Sequence, residues 1–150
     1  MTPDTRTPQQ TADASRATML AKDAVLDLLG IEVIAVRPGR ASVALTVRAD
    51  MLNGFAICHG GLVATLADSA FAYACNSHGV PTVAAGFSIE LLAPAKQGDR
   101  LVAEARELHR RGRSGLYDIK VQNQRGERIA LFRGRSHTLA PRAEQSKESA

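Results

Sequence analysis

Residues 60–76 read GGLVATLADSAFAYACN, and this stretch decides the fold. Asp68 is its only group that ionises below about pH 8. Apolar or small side chains occupy most of the circumference, so the pattern predicts a helix enclosed by protein on nearly every side. An unpartnered carboxylate in such a setting costs roughly several kcal/mol or shifts its pKa and neutralises. A lone helical Asp is equally well explained by an exposed or ion-paired position. The chain entering the helix tips the balance: Met51-Leu52-Asn53-Gly54, then Cys58-His59-Gly60-Gly61. Glycines at a helix start leave backbone N–H groups open at the positive end of the helix dipole, where a developing oxyanion can be held. A carboxylate, an oxyanion pocket, Asn53 and His59 within sixteen residues suit acyl transfer.

Upstream, apolar residues return every three or four positions over residues 14–29, which predicts an amphipathic helix closed by Gly30. Residues 31–36 and 41–47 form a hairpin about Pro38-Gly39. Downstream, the long helix should stop near Gly79-Val80-Pro81. Four strands follow over residues 82–92, 100–109, 115–123 and 128–139, broken by Pro94, Gly98-Asp99, the turn 111–114 and the turn 124–127. This order predicts an α+β domain in which one antiparallel sheet wraps around a long central helix. Residues 15–140 make up that domain, and residues 1–14 and 141–150 are expected to be disordered tails.

A chain of 150 residues with 45% hydrophobic and 23% charged residues fits one globular domain. No run approaches the ~20 apolar residues of a membrane span, and the N-terminus lacks the apolar core of a secretory signal. The expectation is a cytoplasmic protein with no membrane partner. Cys58 and Cys75 should lie more than ~20 Å apart, too far for a disulfide. The net charge of +4 comes largely from arginines in residues 106–113 and 125–135. Aromatic residues are only 4%, and no nucleic-acid motif accompanies the basic clusters. A phosphorylated small molecule is the favoured partner, and nucleic acid is not expected.

Spacing turns oligomerisation into a functional expectation. Gly60 and Asp68 on one helix are separated by ~12 Å along its axis, whereas groups acting on one carbonyl must each come within ~3 Å of it. Two antiparallel helices related by a twofold axis can set Gly60 of one against Asp68 of the other. A homodimer is the minimum assembly, with the active site shared between protomers.

The segment MLNGFAICHGGLVATLADSAFAYACNSHG, residues 51–79, resembles the hotdog-fold acyl-CoA thioesterases, most closely the phenylacetic acid degradation branch. GLYDIKVQNQ (115–124) and ALFRGRSH (130–137) carry the same likeness, which spans about residues 28–138. The resemblance implies a hotdog fold, a homotetramer, and hydrolysis of phenylacetyl-CoA or ring-hydroxylated phenylacetyl-CoA in phenylacetate catabolism. It implies Asp68 as nucleophile or general base, the Gly60 N–H as oxyanion donor, and Asn53 and His59 as pocket residues that position the thioester. No cofactor is implied beyond the coenzyme A of the substrate. Arg111, Arg113 and Ser114 are the first candidates for the coenzyme A phosphates, with Arg133 and Arg135 second. Some relatives hold the attacking water with a hydroxyl where this chain has Ala84; Thr82, Ser88 and Thr65 are the candidate substitutes, and the role is left unassigned. Enoyl-CoA hydratases of this fold typically carry a His five residues after the Asp; here that position is Tyr73. A non-catalytic acyl-CoA-binding protein is the other alternative, with no use for the carboxylate. The His and Cys spacings match no metal pattern. Cys58 and His59 are sequence neighbours that rarely point at one another, so a thiolate pair is not expected.

Overall fold

The computed structural model describes residues 2–139. Its elements run α1 (Pro8–Leu20), α2 (Ala24–Leu29), β1 (Glu32–Arg37), β2 (Arg40–Thr46), a 3-10 turn (Ala49–Met51), α3 (Gly60–Cys75), β3 (Thr82–Leu91), β4 (Arg100–Arg111), β5 (Ser114–Gln122) and β6 (Arg128–Thr138). The six strands make one antiparallel sheet in the order β1-β2-β4-β5-β6-β3. This is the expected α+β hotdog architecture, with α3 packed across the sheet.

Strict alternation creates the core. Val43 and Leu45 on β2, Leu101 and Ala103 on β4, Tyr117, Ile119 and Val121 on β5, and Phe132 on β6 are buried on the helix side. They enclose Val63, Leu66, Ala67, Ala70, Phe71 and Ala74 of α3. Bulges in β1 near Ile34, in β3 near Ala85 and in β4 near Leu108 bend the sheet around the helix. Gly134 lets α3 come close: a Cβ there would meet the Phe71 ring at 2.8 to 3.0 Å. Phe71 and Tyr73 are both buried, and Phe71 packs against Tyr117 and Phe132, so these aromatics build the core.

The N-terminal segment differs from expectation. Helix α1 begins at Pro8, inside the tail expected over residues 1–14, and the single helix expected over residues 14–29 is two. Thr7 and Gln10 form a reciprocal capping box, with Pro8 in the first turn. Polar donors then fasten α1: Gln9 Nε2 to the Val36 carbonyl at 2.9 Å, Arg16 to the Val33 carbonyl at 2.7 Å, and Ser15 to the Asn76 carbonyl at 2.7 Å. An apolar stripe is not what holds this helix, and apolar periodicity therefore missed its first two turns. The chain breaks at residues 21–23, where Asp23 caps α2. Gly30 ends α2 at φ 69°. The tail expected over residues 141–150 lies outside the described residues. No described helix is long and apolar enough to cross a membrane.

Candidate active site

Residues 51–59 fold back tightly onto the start of α3. Asn53 N–H donates to the Ile57 carbonyl at 2.8 Å, Leu52 bridges Cys58, and His59 N–H donates to the Met51 carbonyl at 2.8 Å. Asn53 Oδ1 accepts the Phe55 N–H at 2.9 Å, which sets the tip of this loop. Asn53 Nδ2 has no hydrogen-bond partner among the described residues. The loop thus sets Asn53 near its tip and His59 at its base, directly before Gly60.

His59 is the N-cap of α3. Its Nδ1 accepts the Gly61 N–H at 3.2 Å, and its carbonyl accepts from Leu62 at 2.9 Å and Val63 at 3.3 Å. In the first turn only the Gly60 N–H finds no acceptor among the described residues. It stands at the positive end of a sixteen-residue helix, placed to donate to an anionic oxygen. A Cβ at position 60 would meet Leu91 Cδ1 at 2.7 Å, so glycine lets the exposed edge strand β3 approach this donor.

Asp68 lies two turns further along. Helix α3 is buried around most of its girth, and its one partly open stripe runs through Gly61, Ala64, Thr65, Asp68 and Ala72. The Asp68 carboxylate makes no hydrogen bond or ion pair with a described residue. Burial pushes its pKa above the ordinary carboxylate value. Thr65, one turn earlier on the same stripe, donates its hydroxyl to the Gly61 carbonyl at 2.9 Å and keeps lone pairs free to accept. The other hydroxyls lie elsewhere. Thr82 sits past the far end of α3, where its backbone pairs with Asn76, and Ser88 is the cross-strand partner of Arg133.

The basic turn is remote from Gly60 of the same chain. Residues Arg111 to Ser114 close the β4–β5 hairpin, with Gly112 at φ 58°. Gly112 and Ser114 line a small cavity of about 170 Å³ together with Cys75 and His78, at the C-terminal end of α3. That end is about 22 Å from Gly60 along the helix. Arg133 is held by Asp118 through two hydrogen bonds of 2.7 and 2.9 Å. Within one protomer the structure therefore groups Asn53, His59 and Gly60 at one end, Asp68 midway, and Arg111 to Ser114 at the other.

Neighbouring groups narrow the chemistry. Burial raises the Cys58 thiol and pushes Cys75 up to about 12, so neither supplies a thiolate near neutral pH. Tyr73, at the position where a hydratase histidine would stand, is buried and donates its hydroxyl to Asp23 at 3.2 Å. Among the described residues no cluster of His, Cys, Asp and Glu could hold a metal ion.

The chain is similar in sequence and fold to known thioesterases. The family model of the thioesterase superfamily matches residues 55–130. The acyl-coenzyme A thioesterase PaaI of Escherichia coli (strain K12) is 47% identical over 121 residues, which cover 81% of this chain and 86% of that protein. The solved structure of the E. coli PaaI protein from the phenylacetic acid degradation operon aligns with a TM-score of 0.87 at 43% identity, covering 89% of this chain and 97% of that one. A Streptococcus mutans protein solved with acetyl CoA bound aligns with a TM-score of 0.71 at 26% identity, covering 75% of this chain and 90% of that one.

Proposed function

The chain belongs to the thioesterase superfamily, and on that premise we propose that it is a cytoplasmic acyl-CoA thioesterase of phenylacetate catabolism. Its substrate is phenylacetyl-CoA or a ring-hydroxylated phenylacetyl-CoA, and its products are the free acid and coenzyme A. The arylacetyl assignment rests on the likeness to PaaI. Thioester hydrolysis rests on the Gly60 N–H and the half-buried Asp68 carboxylate, neither of which has a partner among the described residues.

The reaction needs an oxyanion donor and an activated oxygen at one carbonyl. On one helix these groups are ~12 Å apart. The site is therefore shared in a homodimer, with Gly60 of the partner subunit opposite Asp68. Two features support this reading. The partly open stripe of α3 carries mainly small residues around Asp68, which allow close approach of a second chain. Strand β3 is an unpaired sheet edge with Val83, Phe87 and Leu91 exposed, and Leu91 neighbours Gly60. Pairing of two such dimers would give a homotetramer.

In this account the thioester oxygen accepts from the Gly60 N–H. Asp68 either attacks the carbonyl carbon directly or takes a proton from an attacking water. The C–S bond breaks, and coenzyme A leaves as the thiolate and is then protonated. Direct attack leaves an anhydride that water cleaves. Thr65, one turn before Asp68 on the same stripe of α3, holds the water. Asn53 on the preceding loop contributes to the pocket that positions the thioester, while His59 acts through the helix cap that orients the Gly60 N–H. Arg111, Arg113 and Ser114 receive the coenzyme A phosphates. A hydratase would need a base where Tyr73 is bound to Asp23.

The test is thiol release from a panel of acyl-CoAs, running from phenylacetyl and hydroxyphenylacetyl to benzoyl, short aliphatic and long-chain thioesters. Highest kcat/KM on the arylacetyl members, lost in Asp68→Asn with binding retained, supports the reading. Tight binding with no release from any thioester would make the chain an acyl-CoA-binding protein instead.

A further inference from the structure

The sheet face turned away from α3 carries a feature that thioester hydrolysis at Asp68 does not use. Cross-strand partners in an antiparallel sheet share a face. Following the register from edge to edge gives one row: Arg37 on β1 opposite Arg40 on β2, then Arg106 on β4, Asp118 on β5, Arg133 on β6 and Ser88 on β3. All six residues line one trough of about 870 Å³. Four guanidinium groups thus cross the sheet beside a single carboxylate. That carboxylate is already hydrogen-bonded, because the Arg133 side chain grips Asp118 and, with a smaller electrostatic contribution from Arg106, holds its pKa below the usual range. Arg37, Arg40 and Arg106 make no hydrogen bond or ion pair with any described residue. They stand at successive strand spacings of about 4.8 Å, so three like charges face one another across about 10 Å. Like charges directly opposite on a sheet destabilise it unless an anion joins them.

We propose that this row is a binding site for a compact polyanion, a ligand with two or more phosphoryl groups. Guanidinium forks match phosphate oxygens in pairs, and neighbouring arginines at strand spacing can engage adjacent phosphoryl groups together. A second copy of the chain packed on this face fits less well. The trough is lined by six basic and three acidic residues. Of the acids, Asp118 is bound to Arg133 and Glu104 lies 3.5 Å from Lys120, leaving Glu90 to answer four guanidinium groups, those of Arg37, Arg40, Arg106 and Arg128. Two such faces pressed together would concentrate positive charge. The phosphoryl groups come either from a separate phosphorylated ligand or from the nucleotide end of coenzyme A, in which case this row and not the Arg111–Ser114 turn receives them.

The probe is inorganic pyrophosphate, titrated calorimetrically into the intact protein at low ionic strength, where screening is least. Wild type should bind it saturably. Arg40→Gln/Arg106→Gln should weaken binding at least about tenfold. Arg100→Gln/Arg125→Gln, which removes the same charge elsewhere on the surface, should leave it within about twofold. Steady-state kinetics with acyl-CoA and the matching acyl-pantetheine then identify the source. A higher KM for acyl-CoA alone in Arg40→Gln/Arg106→Gln assigns the site to the substrate's own phosphates, and unchanged KM values for both assign it to a separate ligand. The proposal is overturned if wild type shows no saturable binding, if both double variants lose binding alike, or if Arg40→Gln/Arg106→Gln changes only the oligomeric state. Because the primary readout is pyrophosphate binding, it stands or falls independently of the hydrolase assignment.

Discussion

Replacing Gly60 with proline removes one hydrogen-bond donor from α3 and little else. Gly60 is the first helical residue, where proline is well tolerated because that N–H has no intrahelical partner. His59 already has φ −56° and ψ 129°, a conformation suited to the residue before proline. The new Cβ meets only Leu91 Cδ1, the end of a flexible and exposed side chain. The fold should survive with a small change in melting temperature. Activity should not. Loss of one oxyanion donor costs about 100- to 1000-fold in kcat, or about 2.7–4 kcal/mol. Gly60→Ala is the control, since it makes the same Leu91 contact and keeps the N–H. Thiol release under saturating acyl-CoA should separate the two variants by at least about 100-fold, with KM changed much less. A Gly60→Pro enzyme within about threefold of Gly60→Ala would refute the oxyanion role.

Asp68→Asn should lower kcat by about 100- to 10,000-fold, and wild-type activity should fall with acid at a pH above the usual carboxylate range. Burial raises the folded-state pKa of Asp68, so its protonated form favours folding at low pH. That contribution is lost as pH rises through the raised pKa, and Asp68→Asn should melt higher than wild type at about pH 7 and show less gain at about pH 4. Equal melting temperatures at both would contradict the burial. Gly134→Ala drives a methyl into the Phe71 ring and should cost about 1–3 kcal/mol in urea unfolding, with unchanged KM in the folded fraction.

Much of this fold is legible where residue periodicity and burial coincide. The apolar girth of residues 60–76 marked α3, and residue patterning marked all six strands to within about two residues, most clearly in β2, β4, β5 and β6, where one face is buried on the helix side. Segments held by polar side chains were less visible: Gln9, Ser15 and Arg16 fasten α1, a pattern without hydrophobic periodicity. Bulges also escaped, since they depend on pairing across strands. At the site, Gly60 and Asp68 stood out as types that chemistry requires in an apolar context. Recognising His59 as the helix cap needed the orientation of its ring. The arginine row was invisible because Arg37, Arg40, Arg106 and Arg133 are neighbours only through register.

A site built from two chains can be tested by mixing two inactive variants. Asp68→Asn and Gly60→Pro would be co-expressed under different tags and allowed to assemble at random. In each hybrid dimer one site combines both defects, while the other pairs an intact Asp68 with an intact Gly60 of the partner subunit. Half of the dimers in a random mixture are hybrid and each carries one intact site of two, so thiol release should recover to about one quarter of wild type. Hybrids as inactive as either parent would place both groups within one chain and contradict the shared site.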